Sequence, residues 1–173
     1  MIKKLKEKFK NWLRGKIALI GFGGNIKVSG ELSAILTKKD GTVIDLGVLS
    51  RRLVTTAWCE YGVDNMIAET TGWGDFKYLA VGTGTTGALV SDTELETEIE
   101  TRVAGTQVEH TSLIYKTVAT ITFTGTHNVS EYGILNQLAV GGTLMDRHTF
   151  TAIPVESGDN IEFTHKHTWT AGG

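Results

Sequence analysis

Two stretches of alternating residues decide the fold: 114–124 reads Ile-Tyr-Lys-Thr-Val-Ala-Thr-Ile-Thr-Phe-Thr, and 158–170 reads Gly-Asp-Asn-Ile-Glu-Phe-Thr-His-Lys-His-Thr-Trp-Thr. Successive side chains of a strand point to opposite faces, so the alternation predicts strands with one apolar face and one threonine-rich face. Threonine is β-branched, favours extended backbone and keeps a hydroxyl that can bind water or a neighbouring chain. The pattern predicts a surface for protein contact more readily than an active site.

The chain after residue 24 extends this pattern. Strands are predicted at about 25–37, 42–49, 76–81, 102–109, 112–124, 131–137, 143–150 and 160–170. One internal helix is predicted near 55–69, with Thr55 or Thr56 at its N-cap. Residues 91–101, acidic at every second position, fit either a strand or a helix. Together, these predicted strands and the single helix indicate a mainly β protein. We expect an antiparallel β-sandwich of Greek-key or jelly-roll type, formed by one domain at residues 25–173.

Composition narrows the class of protein. The chain has 173 residues and a net charge of −2, so we expect no specific binding of nucleic acid. Cys59 is the single cysteine, which excludes an internal disulfide. Because it falls in the predicted helix beside Trp58, we expect a buried structural thiol.

Residues 1–24 are predicted to form a basic amphipathic arm that ends in a glycine-rich hinge. Residues 1–16 carry seven basic side chains and one acidic side chain, a net charge of +6. Apolar residues recur at helical spacing and would form one stripe. We expect this arm to bind a partner through the stripe and the adjoining lysines: Ile2, Leu5, Phe9, Trp12, Leu13, Lys3, Lys6 and Lys10.

Three interpretations of the arm stay open. It can dock in a groove of a partner, with its lysines against acidic residues or nucleic acid, which we favour. It can lie on an anionic membrane surface, or pack as a terminal helix on its own domain. The apolar run at 17–22 is far shorter than the roughly 20 residues that span a bilayer, and we expect neither export nor a membrane role.

Motifs with chemical meaning are few. Residues 82–87, Gly-Thr-Gly-Thr-Thr-Gly, match the dinucleotide-binding pattern, but they lack a βαβ context, so a glycine loop between strands is favoured. His165 and His167 have a spacing that can chelate a metal. Phe163 comes next on that strand face and no third ligand is readable, so we expect surface histidines. We expect residues 146–148, Asp-Arg-His, to form a strand with an internal ion pair. The sequence therefore predicts no enzyme, no cofactor and no metal.

A series of short motifs then stands in a distinctive order. The motifs are 45–56 (Asp-Leu-Gly-Val-Leu-Ser-Arg-Arg-Leu-Val-Thr-Thr), 76–86 (Phe-Lys-Tyr-Leu-Ala-Val-Gly-Thr-Gly-Thr-Thr), 92–98 (Asp-Thr-Glu-Leu-Glu-Thr-Glu), 130–135 (Ser-Glu-Tyr-Gly-Ile-Leu), 141–147 (Gly-Gly-Thr-Leu-Met-Asp-Arg) and 157–159 (Ser-Gly-Asp). This order resembles that of a group of small structural proteins encoded by tailed bacteriophages. The likeness covers roughly residues 43–173, and the arm falls outside it.

The resemblance implies a β-rich component of the virion. A decoration protein binds a capsid lattice many times through moderate contacts, which a rigid sandwich with an anchoring arm would suit. We therefore favour a capsid decoration or cement protein on the capsid surface. It would bind the major capsid protein and self-associate around a symmetry axis, for example as a trimer. A tail, neck or fibre-attachment protein is the alternative. A carbohydrate-binding sandwich that uses Trp58, Trp73 or Trp169 is a further one.

Overall fold

Nine strands and one helix make up the described residues, 27–67 and 76–170, of this computed structural model. The strands are β1 (Lys27–Thr37), β2 (Val43–Leu53), β3 (Tyr78–Gly82), β4 (Glu98–Ala104), β5 (Thr106–Thr111), β6 (Ile114–Thr122), β7 (His127–Leu135), β8 (Leu144–Val155) and β9 (Asn160–Thr170). The helix is α1 (Thr56–Ile67). The predicted arm at residues 1–24 lies outside the described residues.

The strands form two sheets that pack face to face. One sheet has the order β2-β1-β9-β6-β5 and the other the order β4-β3-β7-β8. Hairpin partners pair antiparallel, and so do the sequence-distant partners β3 with β7 and β6 with β9. The predicted antiparallel β-sandwich is confirmed. Val28–Trp169 forms one compact unit.

The alternation along β6 and β9 divides each strand into a buried and an outward set of side chains. In β6, Ala119 and Ile121 are buried, whereas Thr120 and Thr122 are exposed. The predicted threonine-bearing outer face is therefore present, although Thr117 lies inside. The inward sets of both sheets form the main core, whose fully buried large members include Leu32, Leu79, Tyr132, Ile134 and Phe163.

Helix α1 begins as predicted. The Thr55 hydroxyl accepts a hydrogen bond from the Trp58 backbone N–H at 3.2 Å, which caps the first turn. Trp58 is buried, and its ring packs edge-to-face with the ring of Trp169, with 5.4 Å between the ring centroids. Cys59 is exposed, so the expectation of a buried thiol is wrong. Because consecutive residues of a helix project about 100° apart, only one of these two neighbours can point straight into the core. Trp58 does so, and Cys59 points to the surface. None of the described helical residues forms a span long and apolar enough to cross a bilayer.

The segment at 83–97 covers the outer face of the four-stranded sheet. Leu95 packs there against Ala80, Leu135 and Leu144 in a small second apolar cluster. The acidic stretch at 91–101 is thus neither a single strand nor a helix, because its regular structure starts only at Glu98. Both faces of this sheet are therefore covered, and each face carries buried polar residues.

Candidate metal centre

Strand β8 places alternate residues on opposite faces of the four-stranded sheet. Asp146 and His148 lie opposite Ile134 and Tyr132 of β7, and all four side chains point into the main core. Arg147, between them, points to the outer face. Asp146 and His148 are both 0% exposed.

Strand β9 brings two further histidines to the same place from the facing sheet. His165 and His167 continue the inward set that begins with Ile161 and Phe163, and both are 0% exposed. The expectation of surface histidines is therefore wrong. Ile161 and Phe163 are apolar and lie on the same face of β9 as the two histidines. Because side chains alternate along a strand, a face that carries two core residues places the histidines in the core as well.

The side chains converge on one carboxylate oxygen. Asp146 Oδ2 lies 3.1 Å from His148 Nε2, 3.7 Å from His165 Nε2 and 3.5 Å from His167 Nε2. The two Nε2 atoms of His165 and His167 are 3.1 Å apart. Asp146, His165 and His167 thus bring one potential ligand atom each to a common point.

A glycine of the neighbouring strand makes room for the carboxylate. A methyl group on Gly30 of β1 would lie 1.9 Å from Asp146 Oδ2 and 3.1 Å from His165 Nε2. Aromatic rings close other sides, since Tyr132 lies 5.6 Å from the His165 ring and Trp58 lies 6.2 Å from that of His167. The cluster therefore sits in an apolar cage that admits no bulk solvent to its side chains.

Burial and hydrogen bonding set the protonation of the cluster. Burial alone would raise the pKa of Asp146, but hydrogen bonds from His148 and His167 outweigh it and hold that pKa below its usual range. Burial lowers the pKa of His165 well below its ordinary value, and the neighbouring histidines lower it further. The result is an ionised carboxylate beside a neutral imidazole, the protonation states that bind a metal ion.

Several polar atoms of the cluster have no hydrogen-bond partner among the described residues. They are Asp146 Oδ1, His148 Nδ1, His165 Nδ1 and His167 Nδ1. No described lysine or arginine forms an ion pair with Asp146. Buried charges in proteins are normally paired or bind metals, so this cluster can hold a cation.

The outer face of the same sheet carries a different buried network, centred on Glu131 of β7. Its carboxylate accepts backbone hydrogen bonds from Gly84 (3.0 Å), Glu96 (3.0 Å) and Thr97 (2.7 Å). It also accepts a bond from Arg147 Nε at 2.9 Å. Each Glu131 oxygen is therefore satisfied, and the carboxylate fixes the covering segment to the sheet.

Arg147 completes that network. Its guanidinium donates to Asp92 at 3.0 Å and to Glu96 at 3.5 Å, in addition to Glu131. Residues 146–148 thus lie on a strand, as expected, and the contact within that stretch joins Asp146 Oδ2 to His148 Nε2 at 3.1 Å. Arg147 pairs with residues from other elements, on the opposite face of the sheet.

The glycine-rich loop at 82–87 is explained by Glu131 rather than by a nucleotide. A methyl group on Gly82 or Gly84 would lie 2.3 or 2.6 Å from Glu131 Oε1. Irregular chain follows the loop where a dinucleotide site would have a helix. The glycines therefore let the backbone approach a buried carboxylate, which agrees with the prediction of a loop between strands.

The remaining predicted residues fall elsewhere. The eight arm residues from Ile2 to Leu13 and Trp73 lie outside the described residues. Trp58 is buried against the cluster, whereas Trp169 is half-buried and lines a surface cavity together with Leu113 and Tyr115. No family model, curated protein or solved structure matches the chain.

Proposed function

We propose that this chain is a structural protein of a tailed-bacteriophage particle, and specifically a capsid decoration protein. In this role it binds the lattice of the major capsid protein and associates with copies of itself. The proposal is supported by the order of motifs along residues 43–173 and by one surface of the sandwich, the outer edge of β2.

The outer edge of β2 exposes apolar side chains together with unpaired backbone. β2 is the last strand of its sheet, and no described strand pairs with its outer side. Val43, Ile44 and Val48 are 64%, 41% and 44% exposed. Soluble proteins usually protect strand edges with charge, bulges, proline or a covering segment. β2 carries charges at Asp45, Arg51 and Arg52 and has two register shifts against β1, but its exposed apolar side chains favour contact with another chain.

This edge suits a protein that is bound many times on a lattice. A strand of a second copy, or of the capsid protein, would add to the sheet through main-chain hydrogen bonds, and the apolar side chains would give the contact its selectivity. Repetition of a moderate contact over a particle then gives strong overall attachment.

The first experiment tests self-association through β2. The double variant Val43→Lys, Val48→Lys is compared with Val140→Lys, which changes a residue that is 88% exposed in a loop far along the chain. Light scattering of the purified full chain measures its molar mass. We expect an oligomer for the wild type and for Val140→Lys, and a monomer for the double variant. A monomeric wild type would contradict self-association.

The second experiment places the protein in a particle. Quantitative mass spectrometry of virions from the phage that encodes the chain gives its copy number relative to the major capsid protein. Hundreds of copies support decoration of the shell, whereas a few dozen or fewer support a tail, neck or fibre-attachment role. Absence of the chain from virions contradicts both roles.

Deletion of residues 1–20 tests the predicted arm. We expect the deletion to reduce the number of copies that are incorporated into particles.

A further inference from the structure

We propose that Asp146, His165 and His167 bind one Zn²⁺ ion that joins the two sheets of the sandwich. Asp146 belongs to β8 of the four-stranded sheet, and the histidines belong to β9 of the five-stranded sheet. This structural metal site goes beyond the proposed role in a virion and does not depend on it.

The spacing of the three ligand atoms fits the size of the ion. The atoms Asp146 Oδ2, His165 Nε2 and His167 Nε2 form a triangle with sides of 3.1, 3.5 and 3.7 Å. The point equidistant from the corners of such a triangle lies about 2.0 Å from each of them, and zinc binds imidazole nitrogen and carboxylate oxygen at about 2.0–2.2 Å. An ion near the plane of the triangle therefore reaches all three ligands without movement of the backbone.

The chemistry of the donors favours zinc. Imidazole nitrogen and a single carboxylate are usual zinc ligands, whereas Ca²⁺ and Mg²⁺ prefer oxygen ligands alone. Two imidazole Nε2 atoms face each other at 3.1 Å beside the Asp146 carboxylate. Without an ion, one of these nitrogens must carry a proton to bond the other. With an ion, both lone pairs and the carboxylate charge are directed at it.

His148 has the position of a supporting residue. Its Nε2 lies 3.1 Å from Asp146 Oδ2, within hydrogen-bond distance, and so can fix the orientation of the carboxylate. Hydrogen bonds of this kind hold metal-binding carboxylates in place in known sites. Asp146 Oδ1 remains available for a second bond to the ion or to a bound water.

The burial of the cluster argues for a structural ion. Asp146, His148, His165 and His167 are all 0% exposed, so a substrate has no access to the ion in this conformation. Two histidines and one carboxylate also form the ligand set of many iron oxygenases, but those sites keep positions open for substrate and oxygen. A closed site instead suits an ion without redox chemistry that cross-links the sheets.

The test begins with the full-length wild-type chain. The protein is treated with a chelator, dialysed against Zn²⁺ and then against metal-free buffer, and its metal content is measured by mass spectrometry. We expect one zinc per chain. At a free zinc concentration 100-fold above its dissociation constant, we expect the melting temperature to exceed that of the metal-free protein by about 5–10 °C.

Variants then assign the ion to the cluster. His167→Leu removes a ligand and puts an apolar side chain of similar size in its place. His110→Leu is the matched control, because His110 lies on β5 and is exposed. Cobalt(II) replaces zinc as a spectroscopic probe. We expect tetrahedral cobalt absorption in the wild type and in His110→Leu, and at least a 100-fold loss of metal affinity in His167→Leu.

Three outcomes would overturn the inference. If the wild type binds no zinc and zinc leaves its melting temperature unchanged, the cluster is a hydrogen-bonded network only. If His167→Leu retains a full equivalent of metal, the ion lies elsewhere on the chain. If the protein purifies with stoichiometric iron and prefers it to zinc, the structural role is wrong. The wild-type measurements decide the first and third outcomes even where a variant fails to fold.

Discussion

The two faces of the four-stranded sheet carry buried polar clusters that differ in how their atoms are satisfied. On the outer face, both oxygens of Glu131 accept hydrogen bonds from backbone N–H groups, and Arg147 supplies the opposite charge. On the inner face, the described side chains that pair with Asp146 Oδ2 are histidines, and the Oδ1 atom has no partner among the described residues. Asp146 and Arg147 are neighbours in sequence, and one step of the strand alternation separates the two environments.

This difference indicates different roles for the two clusters. A buried polar network whose donors and acceptors are matched holds elements together and needs no ligand. A buried carboxylate that imidazole nitrogens surround, with one oxygen left without a hydrogen-bond partner among the described residues, offers the kind of donors that bind a cation. The outer cluster therefore fastens the segment at 83–97 to the sheet, whereas the inner cluster is the one that we propose binds a metal ion.

The largest expected effect comes from breaking the outer network. Glu131→Ala leaves the buried guanidinium of Arg147 without its most buried partner and removes the acceptor of three backbone N–H groups. We expect the free energy of unfolding to fall by about 3–5 kcal/mol, the usual result of removing one member of a buried ion pair. Urea denaturation followed by tryptophan fluorescence measures the change.

A matched control for this prediction lies at the surface. Glu156 forms an ion pair with Lys39 at 2.8 Å, and both side chains are largely exposed. Glu156→Ala should leave the urea midpoint unchanged within error, because water already satisfies exposed charges. A loss below about 1 kcal/mol for Glu131→Ala would contradict the role of the outer network as a fastening.

A smaller effect is expected from the glycines that admit the Glu131 carboxylate. A methyl group on Gly82 would lie 2.3 Å from Glu131 Oε1 and 2.3 Å from the backbone oxygen of Thr97, so the covering segment must shift. We expect Gly82→Ala to lower the free energy of unfolding by about 1–3 kcal/mol. Gly87→Ala is the control in the same loop, since no atom lies within 4 Å of its added methyl group. Equal stability of the two variants would show that the loop glycines have no steric role.

The sandwich could be predicted from the sequence because its signal is local. Alternation along β6 and β9 reports which side chains face the core, and the helix start at Thr55 reports a capping hydroxyl. The irregular path of 83–97 could not be predicted in this way. It depends on Glu131, which lies more than thirty residues further along the chain.

The inner cluster was missed for two separate reasons. The burial of His165 and His167 follows from Ile161 and Phe163, which lie on the same face of β9, and the expectation of surface histidines disregards that pattern. The third ligand was not readable from spacing. Asp146 reaches the histidines only because the two sheets face each other, and the fold must be known before that contact can be seen.

The smallest effect concerns a third buried carboxylate, which extends the comparison to pH. Asp159 accepts hydrogen bonds from Lys38 Nζ (2.8 Å), Lys39 N (2.8 Å) and Glu156 N (2.9 Å), and so ties the β1–β2 turn to the β8–β9 turn. The bond from Lys38 and those from the two backbone N–H groups lower the pKa of Asp159 from 3.8 to about 2.

Because the folded protein holds the ionised form of Asp159 more strongly than the unfolded chain does, its contribution to stability is complete above about pH 4. That contribution is lost as the pH falls from about 4 to about 2. The melting temperatures of the wild type and Asp159→Asn should therefore differ most near neutral pH and converge by about pH 2. Lys38→Met removes the largest cause of the pKa shift of Asp159. In a Lys38→Met background, Asp159→Asn should therefore change the melting temperature less than it does in the wild type. If the difference in melting temperature between wild type and Asp159→Asn stays constant from pH 6 to pH 2, Asp159 acts through its shape alone. The charge of the Asp159 carboxylate would then not explain how the two turns are held together.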